Sequence, residues 1–190
     1  MRRHIVVSAG VIALTVALGP VSVASGAARA YTAQRAKTSG PEKIFVLPQG
    51  ETSATHPGTI LMTGTIADYG KAIATNAKRK PTASGLYRQL ELKKGTILVD
   101  ISALGRAITK AFSHPTFDAA TCSVSVTVSA KVSLVSGTRA YTGITGSFTL
   151  SGSIAEIAPR TKSGACTTKT STPPLATFSE FTGSGTVTLP

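Results

Sequence analysis

The sequence of 190 residues predicts an all-β fold, an antiparallel β-barrel of about eight strands that forms one domain. The strongest observation is the stretch from Ser123 to Leu134, where valine, alanine and leucine alternate without a break with serine, threonine and lysine. This period of two is typical of a strand with one buried face. Glycine-rich turn signals separate it from further alternating segments, and few windows have the pattern of an amphipathic helix. A sheet of about eight strands can close and leave no free edge.

The N-terminal 30 residues have the features of a secretory signal peptide. Arg2 and Arg3 precede an apolar run over residues 5–18, and Ala28-Arg29-Ala30 fits a cleavage site. The alternative is a membrane anchor, but the run is shorter than the roughly 20 residues that a spanning helix needs. We therefore predict that residues 1–30 are removed and that the mature protein is secreted, without a transmembrane segment. Residues 31–42 are polar and basic and are predicted to be a flexible leader, so that the barrel domain covers residues 43–190.

The other strands are predicted from shorter alternating or apolar segments between turn signals. Residues 86–101 are predicted to form a hairpin around the turn Lys93-Lys94-Gly95. The segment 105–112 is ambiguous, since it fits either a strand continuation or one helical turn. The long central stretch is expected to bend over the barrel. The remaining predicted strands cover residues 43–47, 58–68, 69–74, 148–156 and 181–189.

The formal net charge of +12 favours anionic partners, such as an anionic polymer of the cell envelope, anionic lipid or nucleic acid. The only compact basic run is Lys78-Arg79-Lys80, in a predicted loop. Aromatic residues are not interleaved with it, as a stacking platform for single-stranded nucleic acid would require. We therefore predict a solvated basic loop and no specific nucleic-acid binding.

The two cysteines, Cys122 and Cys166, are an even number in a chain predicted to be exported. An even number in an oxidising compartment favours a disulfide between them. The alternative, a reactive thiol, has little support because no histidine lies near either cysteine in the sequence.

One loop carries a resemblance to a known family. Residues 137–146 read Gly-Thr-Arg-Ala-Tyr-Thr-Gly-Ile-Thr-Gly and resemble the Gly-Thr-Gly-x-Tyr-x-Gly-x-x-Gly loop of secreted actinobacterial proteins with an allene oxide cyclase-like, dirigent-like β-barrel. Arg139 stands where that family usually has glycine. Further segments that resemble the family are residues 64–70, 94–99, 117–122 and 183–187, within a resemblance that covers about residues 44–190.

The resemblance implies a barrel with a shaped pocket. Cyclases of this kind fold a reactive lipid epoxide, and dirigent proteins orient phenolic radicals. The polar pocket residues of the plant cyclases cannot be placed on this sequence residue by residue. The resemblance therefore implies a fold and transfers no activity.

Three charged residues, Asp68, Arg88 and Glu156, fall in the apolar register of their strands. If they point inward they must pair, because an unpaired buried charge is costly, and they could then form a ligand-orienting or acid–base site. The favoured alternative places them at strand ends or bulges in solvent. Tyr141 could contact a ligand at the barrel mouth, although packing under the glycine loop with a hydrogen-bonded hydroxyl is favoured.

No other chemistry is predicted. His56 and His114 each precede a proline, and their surroundings in the sequence give neither a catalytic triad nor a metal site. The glycine-rich segment 137–146 lies between strands, so it does not predict a nucleotide site, and no cofactor is expected.

Two functions follow as hypotheses. The first is a secreted barrel module that binds a small apolar ligand or contacts the cell envelope without catalysis. The second is a cofactor-free cyclase or isomerase, or a dirigent-like protein, that uses the barrel interior. The first is preferred, and the sequence leaves the ligand and the oligomeric state open.

Overall fold

The computed structural model describes residues 38–47, 57–115, 117–167 and 172–190. Each of its eight strands pairs antiparallel with the next, and β8 pairs with β1 to close the barrel. This confirms the predicted fold. The strands are β1 (Thr38–Leu47), β2 (Gly58–Gly64), β3 (Asp68–Thr75), β4 (Tyr87–Leu92), β5 (Gly95–Asp100), β6 (Ser123–Gly137), β7 (Thr145–Ile157) and β8 (Ala176–Leu189).

Strand β6 is the long alternating stretch of the sequence, and its apolar face lines the barrel interior. Val124, Val128, Val132 and Leu134 are buried, while the serine and threonine face is outside. The register between β5 and β6 shifts, since Leu98 is opposite Ser136 but Val99 is opposite Leu134. Val135 is therefore the extra residue of a β-bulge, a feature that bends a strand and increases its twist.

Three predicted boundaries are corrected. Strand β1 begins at Thr38 rather than at residue 43, because Thr38–Glu42 pair with Leu189–Gly185 of β8. The predicted leader therefore does not extend to residue 42. Strand β2 ends at Gly64 instead of residue 68, since Gly64 has a φ of 118° that departs from the extended conformation. Strand β8 begins at Ala176 instead of residue 181. The predicted signal peptide and residues 31–37 of the leader lie outside the described residues.

The ambiguous segment after β5 is a helix, α1 (Ser102–Ala111). Asp100 Oδ1 accepts hydrogen bonds from the amide and the hydroxyl of Ser102, at 2.8 and 2.6 Å, where the helix begins. Leu104, Ile108 and Phe112 follow at intervals of four, so they lie along one side and line the barrel cavity. No helix in the described ranges has the length and apolar character needed to cross a membrane.

The two ends of the barrel differ in their connections. At one end, here called the turn end, the connections are the short segments 65–67, 93–94 and 138–144. At the other, the loop end, the connections within the described residues belong to the longer segments 76–86, 101–122 and 158–175, while the β1–β2 connection lies outside them except for residue 57. The loop end also carries the disulfide between Cys122 and Cys166, with a Cα–Cα distance of 5.3 Å, which confirms the predicted pairing.

Candidate functional site

The barrel encloses a cavity of about 580 Å³ that extends from its middle to the loop end. A volume of this size is typical of sites for small organic molecules. Helix α1 forms part of the wall through Leu104, Ile108 and Phe112. The other apolar lining residues include Ile44, Ile60, Leu90, Val99, Val132, Phe148, Leu150, Ile154 and Phe181.

The cavity ends before the turn end is reached. Met62, Ile97 and Val187 are fully buried and follow the lining residues on their strands in the direction of the turn end. Side chains of this size fill the interior of a small barrel. Among the described residues, the apolar space is therefore closed by a packed floor at the turn end and extends toward the loop end.

Polar side chains of the cavity belong to its loop-end part. They are Ser84, Arg88, Glu156, Thr177 and Ser179. Arg88 on β4 is half-buried, and its Nη1 donates to the carbonyls of Gly85 at 2.9 Å and Tyr87 at 3.0 Å. Burial lowers the pKa of Arg88 from its ordinary value, although a guanidinium remains charged in proteins.

Glu156 faces the same space from β7, where it is opposite Val124 of β6 and Thr177 of β8. Strands β4 and β7 lie on different sides of the barrel, with β5 and β6 between them. Arg88 and Glu156 thus border the mouth of an otherwise apolar cavity from separate strands. This arrangement suits a molecule that has an apolar body and one polar end.

Asp68 lies at the turn end, where it is the acceptor of a dense set of hydrogen bonds. Its carboxylate accepts from the Tyr141 hydroxyl at 2.5 Å and from the amides of Tyr69 at 2.8 Å, Lys93 at 3.3 Å and Lys94 at 2.9 Å. Burial acts to raise the pKa of Asp68, but these hydrogen bonds together outweigh burial and hold the pKa below its ordinary value. Asp68 is only 5% exposed, and each of its carboxylate oxygens accepts two hydrogen bonds from the protein.

Tyr141 is buried beneath two glycines. A Cβ added to Gly95 would lie 3.2 Å from Tyr141 Cδ2, and one added to Gly137 would lie 2.7 Å from Tyr141 Cβ. Both positions therefore leave room for the tyrosine by having no side chain. Burial, with a contribution from Asp68, raises the pKa of Tyr141 far above its ordinary value, so its hydroxyl remains a donor.

Glu42 is a buried carboxylate at the turn end that sequence reasoning missed. It is 1% exposed, its Oε2 accepts from the Ile66 amide at 2.8 Å, and its Oε1 has no hydrogen-bond partner among the described residues. Burial raises the pKa of Glu42. The signal that could have found it is its register, since Glu42, Ile44 and Val46 alternate with outward-facing residues of β1.

The four predicted site residues fall into two separate pairs. Asp68 and Tyr141 are bonded to each other at the turn end, and Arg88 and Glu156 border the cavity at the loop end. The expectation that Asp68 is a solvated strand-end residue is wrong, because backbone amides and a tyrosine compensate for its burial. For Tyr141, the packed and hydrogen-bonded alternative describes the structure.

The histidines do not contribute to either region. His114 is exposed, and its Nδ1 lies 3.1 Å from the Ser113 hydroxyl. His56 lies outside the described residues. Within the ranges that the structure covers, no three His, Cys, Asp or Glu side chains are grouped so that they could hold a metal ion.

Comparisons of the chain with protein-family models, curated proteins and solved structures find no match. The function is therefore inferred from the geometry of the cavity.

Proposed function

We propose that this protein is a secreted binding module that holds a small, largely apolar molecule inside its barrel. The observation that supports the proposal is the cavity of about 580 Å³, with apolar walls and a polar mouth. Transfer of apolar surface from water into such a space supplies roughly 25 cal/mol per Å² of binding free energy. The apolar body would lie between β-strands and α1, and the polar end would lie near Arg88 and Glu156.

Arg88 gives this site a preference for an acidic end group. The guanidinium has five N–H donors, and its hydrogen bonds to the carbonyls of Gly85 and Tyr87 both come from Nη1. Its partial burial strengthens a charge-assisted hydrogen bond to a carboxylate, because the surrounding dielectric is low. The preferred ligand class is therefore an organic acid with a long or bulky apolar part.

The binding test uses displacement of an environment-sensitive fluorescent probe by a fatty acid and by the alcohol of the same chain length. The protein has no tryptophan, so probe fluorescence is free of that background. We expect the acid to bind about tenfold more tightly than the alcohol, and Arg88→Met to remove this preference while the alcohol still binds. Equal binding of acid and alcohol by the parent protein would contradict the role of Arg88.

A second pair of variants tests the cavity itself. Ala72 is buried and lines the cavity, so Ala72→Phe should fill the space and abolish probe binding. Val135 is 50% exposed on the outside of the barrel, so Val135→Phe is the matched control and should bind the probe like the parent. If Ala72→Phe folds and still binds the probe with parental affinity, the ligand is not held in the barrel.

The alternative function, a cofactor-free cyclase or isomerase or a dirigent-like protein, is favoured by one observation. A carboxylate and a guanidinium border the same apolar cavity, and such clustered charge is where proton transfer and transition-state stabilisation tend to occur. Its test is turnover of a lipid epoxide by the parent protein beside Glu156→Gln. If both samples react at the uncatalysed rate, the catalytic alternative is contradicted and the binding module remains the proposed function.

Two further proposals concern origin and location. We propose kinship with the allene oxide cyclase-like, dirigent-like family, supported by the eight-stranded barrel and by the 137–146 loop, in which Tyr141 packs under Gly137. We propose export, supported by the disulfide and by the N-terminal sequence pattern. N-terminal sequencing of protein recovered outside the cell should begin at Tyr31, and an intact Met1 on membrane-bound protein would contradict cleavage.

A further inference from the structure

The loop end carries exposed apolar side chains beside the cavity mouth. Leu175 is 71% exposed, Phe178 62%, Leu86 51% and Ile157 43%. The Leu175 amide donates to the Ile157 carbonyl at 2.8 Å, and Phe178 follows on β8 opposite Ala155, so three of these residues form one patch. Its neighbours Thr177 and Ser179 line the cavity. Exposed large apolar groups gathered at one place mark an interaction site.

Leu86 extends this apolar surface to the helix on the other side of the mouth. Its Cδ2 would lie 3.5 Å from a Cβ added to Gly105 of α1, so the leucine lies against the helix surface. The residues of α1 that point inward are those that line the cavity. The apolar groups therefore border the mouth on both the β7–β8 side and the helix side.

Basic side chains accompany the apolar ones. Arg106 and Lys110 on α1 and Lys162 in the β7–β8 connection are all exposed. Among the nearby carboxylates, Asp100 accepts hydrogen bonds from Ser102 and Asp118 accepts them from Thr121. Glu180, two residues after Phe178 on β8, is exposed. We name these three cations and the four apolar residues Leu86, Ile157, Leu175 and Phe178 the rim.

We propose that the rim docks the protein on an anionic lipid surface, with the cavity mouth facing the membrane. Exposed Leu and Phe together with Lys and Arg are the composition of segments that bind at a membrane interface, where the apolar groups enter the boundary region and the cations meet anionic headgroups. A second copy of the chain is a poorer occupant, because self-association at this face would bring like charges together. This inference rests on the proposed function, since an apolar ligand with low solubility in water is most readily taken from or delivered to a lipid phase.

The orientation follows from the position of the rim. The turn end presents a packed floor and the hydrogen-bonded pair Asp68 and Tyr141, so a ligand would enter and leave at the loop end. Docking through the rim would bring the mouth to the depth of the headgroups. Arg88 and Glu156 would then lie close to the polar boundary, and the apolar walls would lie beyond it.

The test is co-sedimentation of the exported protein with vesicles. Vesicles of phosphatidylglycerol mixed with phosphatidylcholine are compared with vesicles of phosphatidylcholine alone. We expect binding to the anionic vesicles to be at least about tenfold stronger and to weaken with added salt. Equal binding to both vesicle types, or binding to neither, would overturn the proposal.

Rim variants locate the docking surface. Leu175→Ser with Phe178→Ser, and separately Arg106→Glu with Lys110→Glu, should each weaken vesicle binding about tenfold or more. The matched controls are Tyr69→Ser, an aromatic residue 57% exposed at the turn end, and Lys131→Glu on the outer face of β6. The controls should stay within about twofold of the parent. A loss in the controls as large as in the rim variants would show that binding does not depend on the rim and would overturn the proposal.

Two measurements separate this inference from its alternatives. Fluorescent-probe binding in solution is measured on the same variants, and the rim variants should bind the probe like the parent. If no sample binds the probe, the proposed function is contradicted. The vesicle experiment then still tests whether the rim binds a membrane. The protein is also applied to a polyanion coupled to a resin. If it is retained there, if the rim variants are not, and if it does not bind vesicles, an envelope polymer is the partner and the membrane proposal is overturned.

Discussion

The two ends of the barrel both place charged groups in the interior, but they treat them differently. At the turn end, the Asp68 carboxylate accepts four hydrogen bonds, from Tyr141 and from three backbone amides. At the loop end, Arg88 and Glu156 border a cavity of about 580 Å³. Asp68 is surrounded by the protein, whereas Arg88 and Glu156 also border a space that a ligand can fill.

This difference teaches that an inward charge is not by itself a functional signal. What separates the two cases is whether the protein fills the volume around the charge. A buried charge that is fully hydrogen-bonded fixes a local structure, whereas a charge that borders an open cavity can act on a guest molecule. The same sequence pattern, a charged residue in the apolar register, produces both.

The largest expected effect on stability comes from the disulfide at the loop end. Cys122→Ala with Cys166→Ala should lower the free energy of unfolding by about 4 kcal/mol on the chain-entropy estimate for the enclosed loop. Denaturant unfolding of the parent and the double variant measures this change. A loss below about 1 kcal/mol would show that the loop end is held by packing and hydrogen bonds instead of the cross-link.

The next largest effect should come from Asp68. Asp68→Ala leaves the buried Tyr141 hydroxyl and several amides without their acceptor, and each unsatisfied buried group costs about 1–3 kcal/mol. We expect a total loss of about 3 kcal/mol, since water can reach some of the amides. Thermal and denaturant unfolding measure it, with Glu91→Ala, an exposed carboxylate of β4, as the control. Parental stability in Asp68→Ala would remove the structural role assigned to the turn end.

Glu42 and Asp68 should make the stability of the folded protein depend on pH with opposite signs. Because burial raises the pKa of Glu42, its contribution to stability is fully present below the ordinary glutamate pKa of about 4.3 and is lost as pH rises through the native pKa. Because hydrogen bonds lower the pKa of Asp68, its contribution is present above the ordinary aspartate pKa of about 3.9 and is lost as pH falls through the native value.

The variant Glu42→Gln tests this pair of signs. It should remove the loss of stability on the alkaline side and leave the acid-side loss caused by Asp68. We expect the change in the free energy of unfolding to lie between the changes caused by Asp68→Ala and Arg88→Met. Unfolding measured across a pH series detects it. A parental pH profile in Glu42→Gln would show that Glu42 ionises in the folded protein without cost.

The smallest expected effect on stability comes from Arg88. Its hydrogen bonds go to the nearby carbonyls of Gly85 and Tyr87, and methionine retains most of the packing of its aliphatic stem. Arg88→Met should therefore lower the free energy of unfolding by only about 0.5–1.5 kcal/mol. A loss above roughly 3 kcal/mol would show that Arg88 has a structural role like that of Asp68 and would remove the contrast between the ends.

Much of the barrel could be predicted from the sequence, because alternation is a local property. The valine face of β6 and the existence of the other strands follow from residues that are neighbours in the chain. The start of β1 was misplaced because Gly40-Pro41 is typical of a loop, while pairing with β8 holds those residues extended. Helix α1 could not be distinguished from a strand because its inward residues Leu104, Ile108 and Phe112 are few and its segment is short.

The site was harder to predict because its environment depends on distant residues. The register of Asp68 pointed inward, but its burial is explained by Tyr141, which is 73 positions away in the sequence. Whether the barrel interior is filled or hollow depends on side-chain sizes across several strands and on where α1 lies. Local sequence patterns show neither the distant hydrogen-bond partners of a residue nor how well the interior is filled. The sequence could therefore not separate the two pairs of candidate residues.

The pairing of β1 with β8 has a consequence for how this chain folds. Thr38 is opposite Leu189, so the ladder that closes the barrel joins segments from nearly opposite ends of the described chain. Contacts of such high sequence separation make folding slow, in the range of milliseconds to seconds. Closure must wait until β8 has been synthesised and is free to pair. A chain that emerges gradually from a ribosome therefore has free sheet edges until its last strand is available. Until then, those edges can pair with other chains.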